Sequence, residues 1–144
     1  LTIKSFGKNI DLAPEAVLNC ATAEATARFL ADAVAPAAKS VFGEDLLAIS
    51  HGSAFVCRPR NGTTKLSEHA FGNAIDIGGF KLAGGRTINV TAATDSREAD
   101  FLSRVRMAAC GPFKTVLGPG TDADHAQHFH FDLAKRRNGG TYCR

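Results

Sequence analysis

His125-Ala-Gln-His128-Phe-His130-Phe-Asp132-Leu133 alternates polar and aromatic side chains with a period of two. That period belongs to a strand, whose successive side chains point to opposite faces. A strand from His128 to Leu133 turns His128, His130 and Asp132 one way and sends Phe129, Phe131 and Leu133 into a core. Three of the protein's five histidines fall between positions 125 and 130. Imidazoles beside a carboxylate on one polar face are what a metal site or an acid–base site needs. The plainer alternative is a solvated strand face that carries histidines.

A second constellation lies upstream, Ser67-Glu-His69-Ala-Phe-Gly72-Asn-Ala74-Ile-Asp76-Ile77. His69 is expected in a turn and Asp76 on a strand covering Ala74–Ile77, with Gly72 allowing the tight backbone between them. The pair alone is weak, because an Asp capping a turn explains it equally well. The two segments together offer two histidines and one carboxylate, which leaves a zinc ion one open position for water. Bound zinc lowers the pKa of that water to about 7, and the reaction class that follows is hydrolysis.

Around these segments the chain reads as a mixture of helices and short hairpins. An alanine-rich helix is expected over Ala21–Val41, with a kink or break near Ala35 because Pro36 follows, and Gly43 as its left-handed cap. Short strands are expected at Leu46–Ser50, Ala54–Cys57, Thr87–Val90 and Thr115–Leu117, with Arg58–Gly62 as a loop. Asp95 and Glu98 form a capping box for a second helix, whose apolar stripe is Phe101, Leu102, Val105 and Ala109 and whose stop is Gly111. This order predicts α+β rather than a doubly wound sheet.

Composition sets the limits. The chain of 144 residues is 44% hydrophobic and 22% charged, which suits one folded domain over 1–144. A net charge of +3, without a Lys/Arg run, argues against nucleic acid and is weakly compatible with an anionic polymer. No apolar stretch reaches the eighteen or so residues of a membrane span, so a domain without a transmembrane segment is expected. The chain begins at Leu1 rather than Met, which suggests a processed or trimmed chain and leaves open whether a leader preceded it. Cys20, Cys57, Cys110 and Cys143 are too far apart for a CxxC pair and suit two disulfides in an oxidising compartment, with three pairings open.

Ser67-x-His69-x-x-Gly72-x-Ala74-x-Asp76 resembles the SxHxxGxAxD signature of the zinc D-Ala-D-Ala peptidases, a superfamily that includes lysostaphin-type peptidases and the hedgehog amino-terminal domain. His128-x-His130 resembles its second signature, and His125-x-x-His128-x-His130 is similar to the penicillin-insensitive murein endopeptidases. Within that superfamily the chain resembles the bacterial extensin-like C-terminal domain. The likeness rests on Cys57-Arg58, Leu66–Asp76, Ala109-Cys110, Val116-Leu-Gly-Pro-Gly120, His128–Leu133 and the outer cysteines, and so covers nearly the whole chain.

The resemblance implies a small antiparallel sheet flanked by helices and carrying Zn2+ on His69, Asp76 and His130. It places His128 beside the metal, facing the substrate or a developing oxyanion. His125 stands where many relatives have a Glu or Asp as general base, and Asp124 competes for that role. Arg58 would stabilise the oxyanion or bind a terminal carboxylate, with Arg60 as its rival. Ser67 either supports a ligand or caps its turn, and Asp132 either orients a histidine or is an ordinary polar strand residue. His51 reads as structural.

The expected activity is that of a zinc metallopeptidase, of DD-endopeptidase or carboxypeptidase type. It would act as a periplasmic or secreted bacterial monomer on peptidoglycan stem or cross-link peptides. The alternative is a non-catalytic, zinc-containing cell-wall-binding module on the same fold. A non-haem iron oxygenase also uses two histidines and a carboxylate, but its usual HxD spacing is missing here.

Overall fold

The computed structural model describes residues 1–7 and 9–144, and among them eight strands form one sheet. They are β1 (Thr2–Phe6), β2 (Ile10–Val17), β3 (Leu46–Ser53), β4 (Ala74–Leu82), β5 (Thr87–Asn89), β6 (Thr115–Leu117), β7 (Phe129–Asp132) and β8 (Tyr142–Cys143). Their order is β1-β2-β3-β4-β7-β6-β8, with β5 paired to β4. The α+β class holds, but the sheet is larger than expected and mixed. β2 runs parallel to β3, and β6 parallel to β8. Between β2 and β3 the chain crosses over through helices, the connection that brings a strand back parallel.

That crossover is one helical run with a widened turn inside it. Asn19 caps α1 (Cys20–Phe29), its side chain accepting from Thr22 N–H at 2.8 Å. A π-turn at Leu30–Val34 leads into α2 (Ala35–Phe42), where Pro36 stands in the first turn. Pro36 has no N–H to give, and the wider turn absorbs the missing bond, with Ala35 N–H reaching back to Leu30 O. The expected break is therefore a bulge, and Gly43 closes the run in the left-handed region at φ 69°.

In α3 (Ser96–Ala109) the cap is as expected on one side, Asp95 accepting from Glu98 N–H at 2.8 Å. Glu98 reaches back to Thr94 N–H rather than Asp95, and its other oxygen accepts from Arg86 at 2.7 Å. Phe101, Leu102, Val105 and Ala109 are all buried.

The core lies between the helices and one face of β3, β4 and β7. Phe29 packs edge-on against Phe113 and Phe131, with centroids 5.5 and 5.6 Å away. Ile75, Ile77, Phe80 and Phe131 are fully buried, each contributing roughly 1.5–3 kcal/mol by removal from water. β4 continues past Ile77 through Gly78 and Gly79 instead of ending there. A Cβ on Gly79 would lie 3.1 Å from both Ile88 O and Ser50 Oγ, so the glycine allows close strands rather than a turn. Ala54–Cys57, expected as a strand, is irregular, and Phe55 is exposed.

Cys110 and Cys143 form a disulfide, which ties the end of α3 to β8. The second expected bridge is absent: Cys20, on the first turn of α1, and Cys57, in the loop after β3, are exposed free thiols. The bridge fits an extracellular or periplasmic protein. No helix among the described residues is long and apolar enough to cross a membrane. With the paired cysteines 33 positions apart in sequence, Cys110→Ser is expected to cost about 3–4 kcal/mol in the chain-entropy picture, read as a lowered denaturant midpoint under non-reducing conditions.

Candidate metal centre

The turn that carries His69 is a short 3-10 helix, Glu68–Phe71, capped by the Ser67 hydroxyl, which accepts from His69 N–H at 3.0 Å. Of the two roles open to Ser67, the structure shows the cap. Gly72 ends the turn at φ 65°, and a Cβ there would lie 2.9 Å from Asn19 N. Asn19 N–H in turn donates to Gly72 O at 2.9 Å, and Asn19 Nδ2 to Phe71 O at 3.2 Å. A side chain at this position would be strained and would also push the start of α1 away.

β4 and β7 lie side by side in antiparallel register, with Asp76 opposite His130 and Ile75 opposite Phe131. The alternation read from sequence is borne out in this respect. Phe129 and Phe131 enter the core, while His130 and Asp132 share the other face, both buried.

His69, Asp76 and His130 converge, and one donor atom from each lies within 4.8 Å of the other two. His69 Nδ1–H donates to Ala54 O at 2.6 Å, so Nε2 faces inward, 3.2 Å from Asp76 Oδ2. His130 Nε2–H donates to Asp132 Oδ2 at 2.7 Å, which turns Nδ1 toward Asp76 Oδ1 at 2.9 Å. Asp132 thus orients His130, and it also accepts from Ala134 N–H at 2.9 Å. Each histidine has one nitrogen fixed by an oxygen acceptor and the other aimed at the carboxylate, the outer support that metal-ligating histidines require. The donor set fits a divalent cation of the zinc type.

Two more histidines border the cluster. His128 Nε2 lies 3.6 Å from Asp76 Oδ2. The His125 ring stands 5.4 Å from His128 and 5.5 Å from His130 between centroids. His125 Nδ1–H donates to Asp122 Oδ1 at 2.6 Å, and the same oxygen accepts from His125 N–H at 3.0 Å. Asp122 was not read from sequence. Its signal is the Asp-x-x-His spacing, an N-cap distance that also lets the carboxylate reach the ring. Asp124 is exposed on the cavity wall.

His69, Asp76, Asp124, His125, His128, His130 and Asp132 open into a cavity of about 480 Å³, which Arg58 and Arg60 also line. Arg60 is engaged with Glu68 at 3.8 Å, whereas Arg58 is exposed at the rim. His51 lies elsewhere, its Nε2 against Pro14 O at 2.7 Å on the β2–β3 seam, which fits a structural part.

Burial works against ionising Asp76, but the His130 and His69 rings outweigh it and hold the carboxyl well below the usual range. Burial would lower His130, yet Asp132 and Asp76 raise it to about 9. Asp132 is likewise lowered, burial being overcome by His130 and the Thr115 hydroxyl. For His128 burial dominates and lowers it, with the other histidines adding to that effect against Asp76.

A pH dependence follows for metal-free protein. The His130 contribution is complete below its ordinary value near 6.5 and drains away as pH rises through about 9. The Asp76 and Asp132 contributions are complete above about pH 4 and vanish below it. Stability in chelator is therefore expected to peak between about pH 4 and 6.5 and to fall by roughly 3 kcal/mol toward pH 9. A zinc ion held by these side chains would compete with the proton for the same lone pair, and thermal melts in excess zinc would then rise from about pH 6 to 8.

No curated protein and no solved structure matches this chain. The model of the family described as extensin-like protein C-terminus matches residues 1–144. The chain therefore belongs to the extensin-like protein C-terminus family.

Proposed function

We propose that the chain is a zinc-dependent peptidase acting on peptidoglycan peptides in the periplasm or outside the cell, as a monomer and within the superfamily of zinc D-Ala-D-Ala peptidases. The observation that carries this reading is the convergence of His69, Asp76 and His130 on the floor of an open cavity, with His125 and His128 on its wall. A cation held by those three side chains would supply a Lewis acid and an acidified water.

The other residues divide the remaining work. The hydrogen bond to Asp122 fixes Nδ1–H of His125 and leaves Nε2 as an acceptor for a proton from the attacking water. His128, lowered by burial, stays neutral near pH 7 and can donate one ring hydrogen to the substrate carbonyl oxygen as negative charge develops there. Arg58 at the rim can add charge stabilisation at that oxygen. Asp132 keeps the His130 ring from rotating. DD-endopeptidase and carboxypeptidase action are both compatible with a cavity open on one side.

The test is incubation of zinc-loaded protein with purified muropeptides and mass analysis of the products, beside a metal assay of the same sample. New peptide termini that disappear on chelation support the reading. Stoichiometric zinc with tight retention on murein and no cleavage would support the binding-module alternative. Stoichiometric iron would overturn the zinc assignment.

A further inference from the structure

The cavity is also lined by a third guanidinium, Arg136, which is half-buried between Thr115 and Tyr142. Its Nη1 donates to Lys114 O at 3.1 Å and Ala134 O at 3.5 Å, and its Nη2 donates to Thr115 Oγ1 at 3.0 Å. Its Cζ lies 5.7 Å from the Tyr142 ring centroid. These supports are rigid: Thr115 is buried on β6, and Tyr142 lies on β8, which pairs with β6 and is tied down by the neighbouring Cys143 disulfide.

The arginine is held entirely by neutral acceptors. Arg28, Arg60, Arg86 and Arg104 each face a carboxylate, at 2.7 to 3.8 Å, whereas no Asp or Glu among the described residues pairs with Arg136. A guanidinium has five N–H donors. Nε–H and one Nη2–H of Arg136 remain without a protein acceptor, and these two can form the side-on fork that matches a carboxylate. A fixed, half-buried cation lacking an internal counter-ion is prepared for an anion from outside, because little side-chain entropy is left to lose.

Its place in the sheet relates it to the metal centre. Thr115 stands opposite Asp132 in the β6–β7 register, and the Thr115 hydroxyl hydrogen-bonds the Asp132 carboxylate. Arg136, Thr115, Asp132 and His130 therefore form one continuous row that ends in the cluster. We infer that Arg136, backed by Tyr142, is a substrate-specificity residue that binds a free carboxylate on the peptide next to the bond cleaved. The inference rests on the peptidase reading and narrows its substrates to peptides with that charge.

The experiment uses a dye-labelled peptide that ends in a free carboxylate next to a D-amino-acid bond, and its carboxamide twin. Binding of both is measured by anisotropy in chelator, where no hydrolysis occurs, and cleavage is measured in zinc. Wild-type protein should favour the carboxylate at least ~10-fold in both assays, the usual value of a hydrogen bond to a charged group. Arg136→Gln should bring the ratio to about one, and Arg136→Lys, which keeps the charge but not the fork, should fall between. Arg58→Gln should keep the binding preference.

Equal binding of the twins by wild-type protein would overturn the inference, with no variant needed. So would a preference that survives Arg136→Gln or disappears in Arg58→Gln. Discrimination in binding with no cleavage of either peptide would instead remove the peptidase reading and leave the carboxylate site standing.

Discussion

Under the proposed zinc reading, Asp76→Asn should abolish tight zinc binding. The substitution preserves shape and removes the one negative charge that the His69 and His130 nitrogens share, at 3.2 and 2.9 Å. Loss of an outer-shell partner alone typically weakens metal affinity ~10–100-fold, so loss of a central ligand should exceed ~100-fold. Peptide hydrolysis should fall roughly a thousand-fold or more, because the acidified water goes with the cation. Competition against a chromogenic chelator reads the first effect, and product mass analysis the second. Asp132→Asn offers the graded comparison: His130 keeps a neutral acceptor on Nε2, and affinity should drop only into the ~10–100-fold range. Wild-type zinc affinity in Asp76→Asn would show that the three side chains are not the ligands.

The second large effect is expected at His125, and it should separate chemistry from metal binding. His125→Ala should retain stoichiometric zinc while kcat falls ~10²–10⁴-fold, the contribution of a positioned general base. Asp122→Asn should give a smaller loss, because the amide oxygen still accepts from the ring Nδ1–H but no longer brings the negative charge that steadies the ring. Asp124→Asn should be close to neutral, since this exposed carboxylate does not hold the ring. A large loss at Asp124 with an active His125→Ala would reverse the two roles.

Much of the site was legible because it lies on strongly patterned segments. His130 and Asp132 alternate with Phe129 and Phe131, and burial of the two rings dictates which way the polar groups turn. The His69 turn was readable from Gly72, whose φ of 65° few other residues adopt. Asp122 escaped notice because its interaction with His125 looks, in sequence, like any helix cap. The amino-terminal hairpin was invisible for a different reason. Of β1 and β2 only Phe6, Leu12 and Ala16 are buried, so strands at the sheet margin leave little alternation to detect.

Two errors share a cause, since β-forming residues and glycines describe preference rather than pairing. Phe55 and Val56 favour extended backbone, yet Val56 N–H binds His69 O and no ladder forms. The strand was expected to end at Ile77, before Gly78-Gly79, yet it continues through both glycines with β5 and β3 close on either side. Cysteine counting overreached in the same way, because an even number allows two bridges without bringing Cys20 to Cys57.

The junction of Asn19 with Gly72 ties the turn that carries His69 to the first helix. Through it, the 3-10 turn rests on a seam formed by residues about fifty positions earlier. Loosening that seam, by trimming the leading strands or bulking up the glycine, would let the His69 ring drift off target while Asp76 and His130 stayed in register on their own ladder. Damage at the amino terminus would then show first as a leaky grip on the cation, well before any general unravelling.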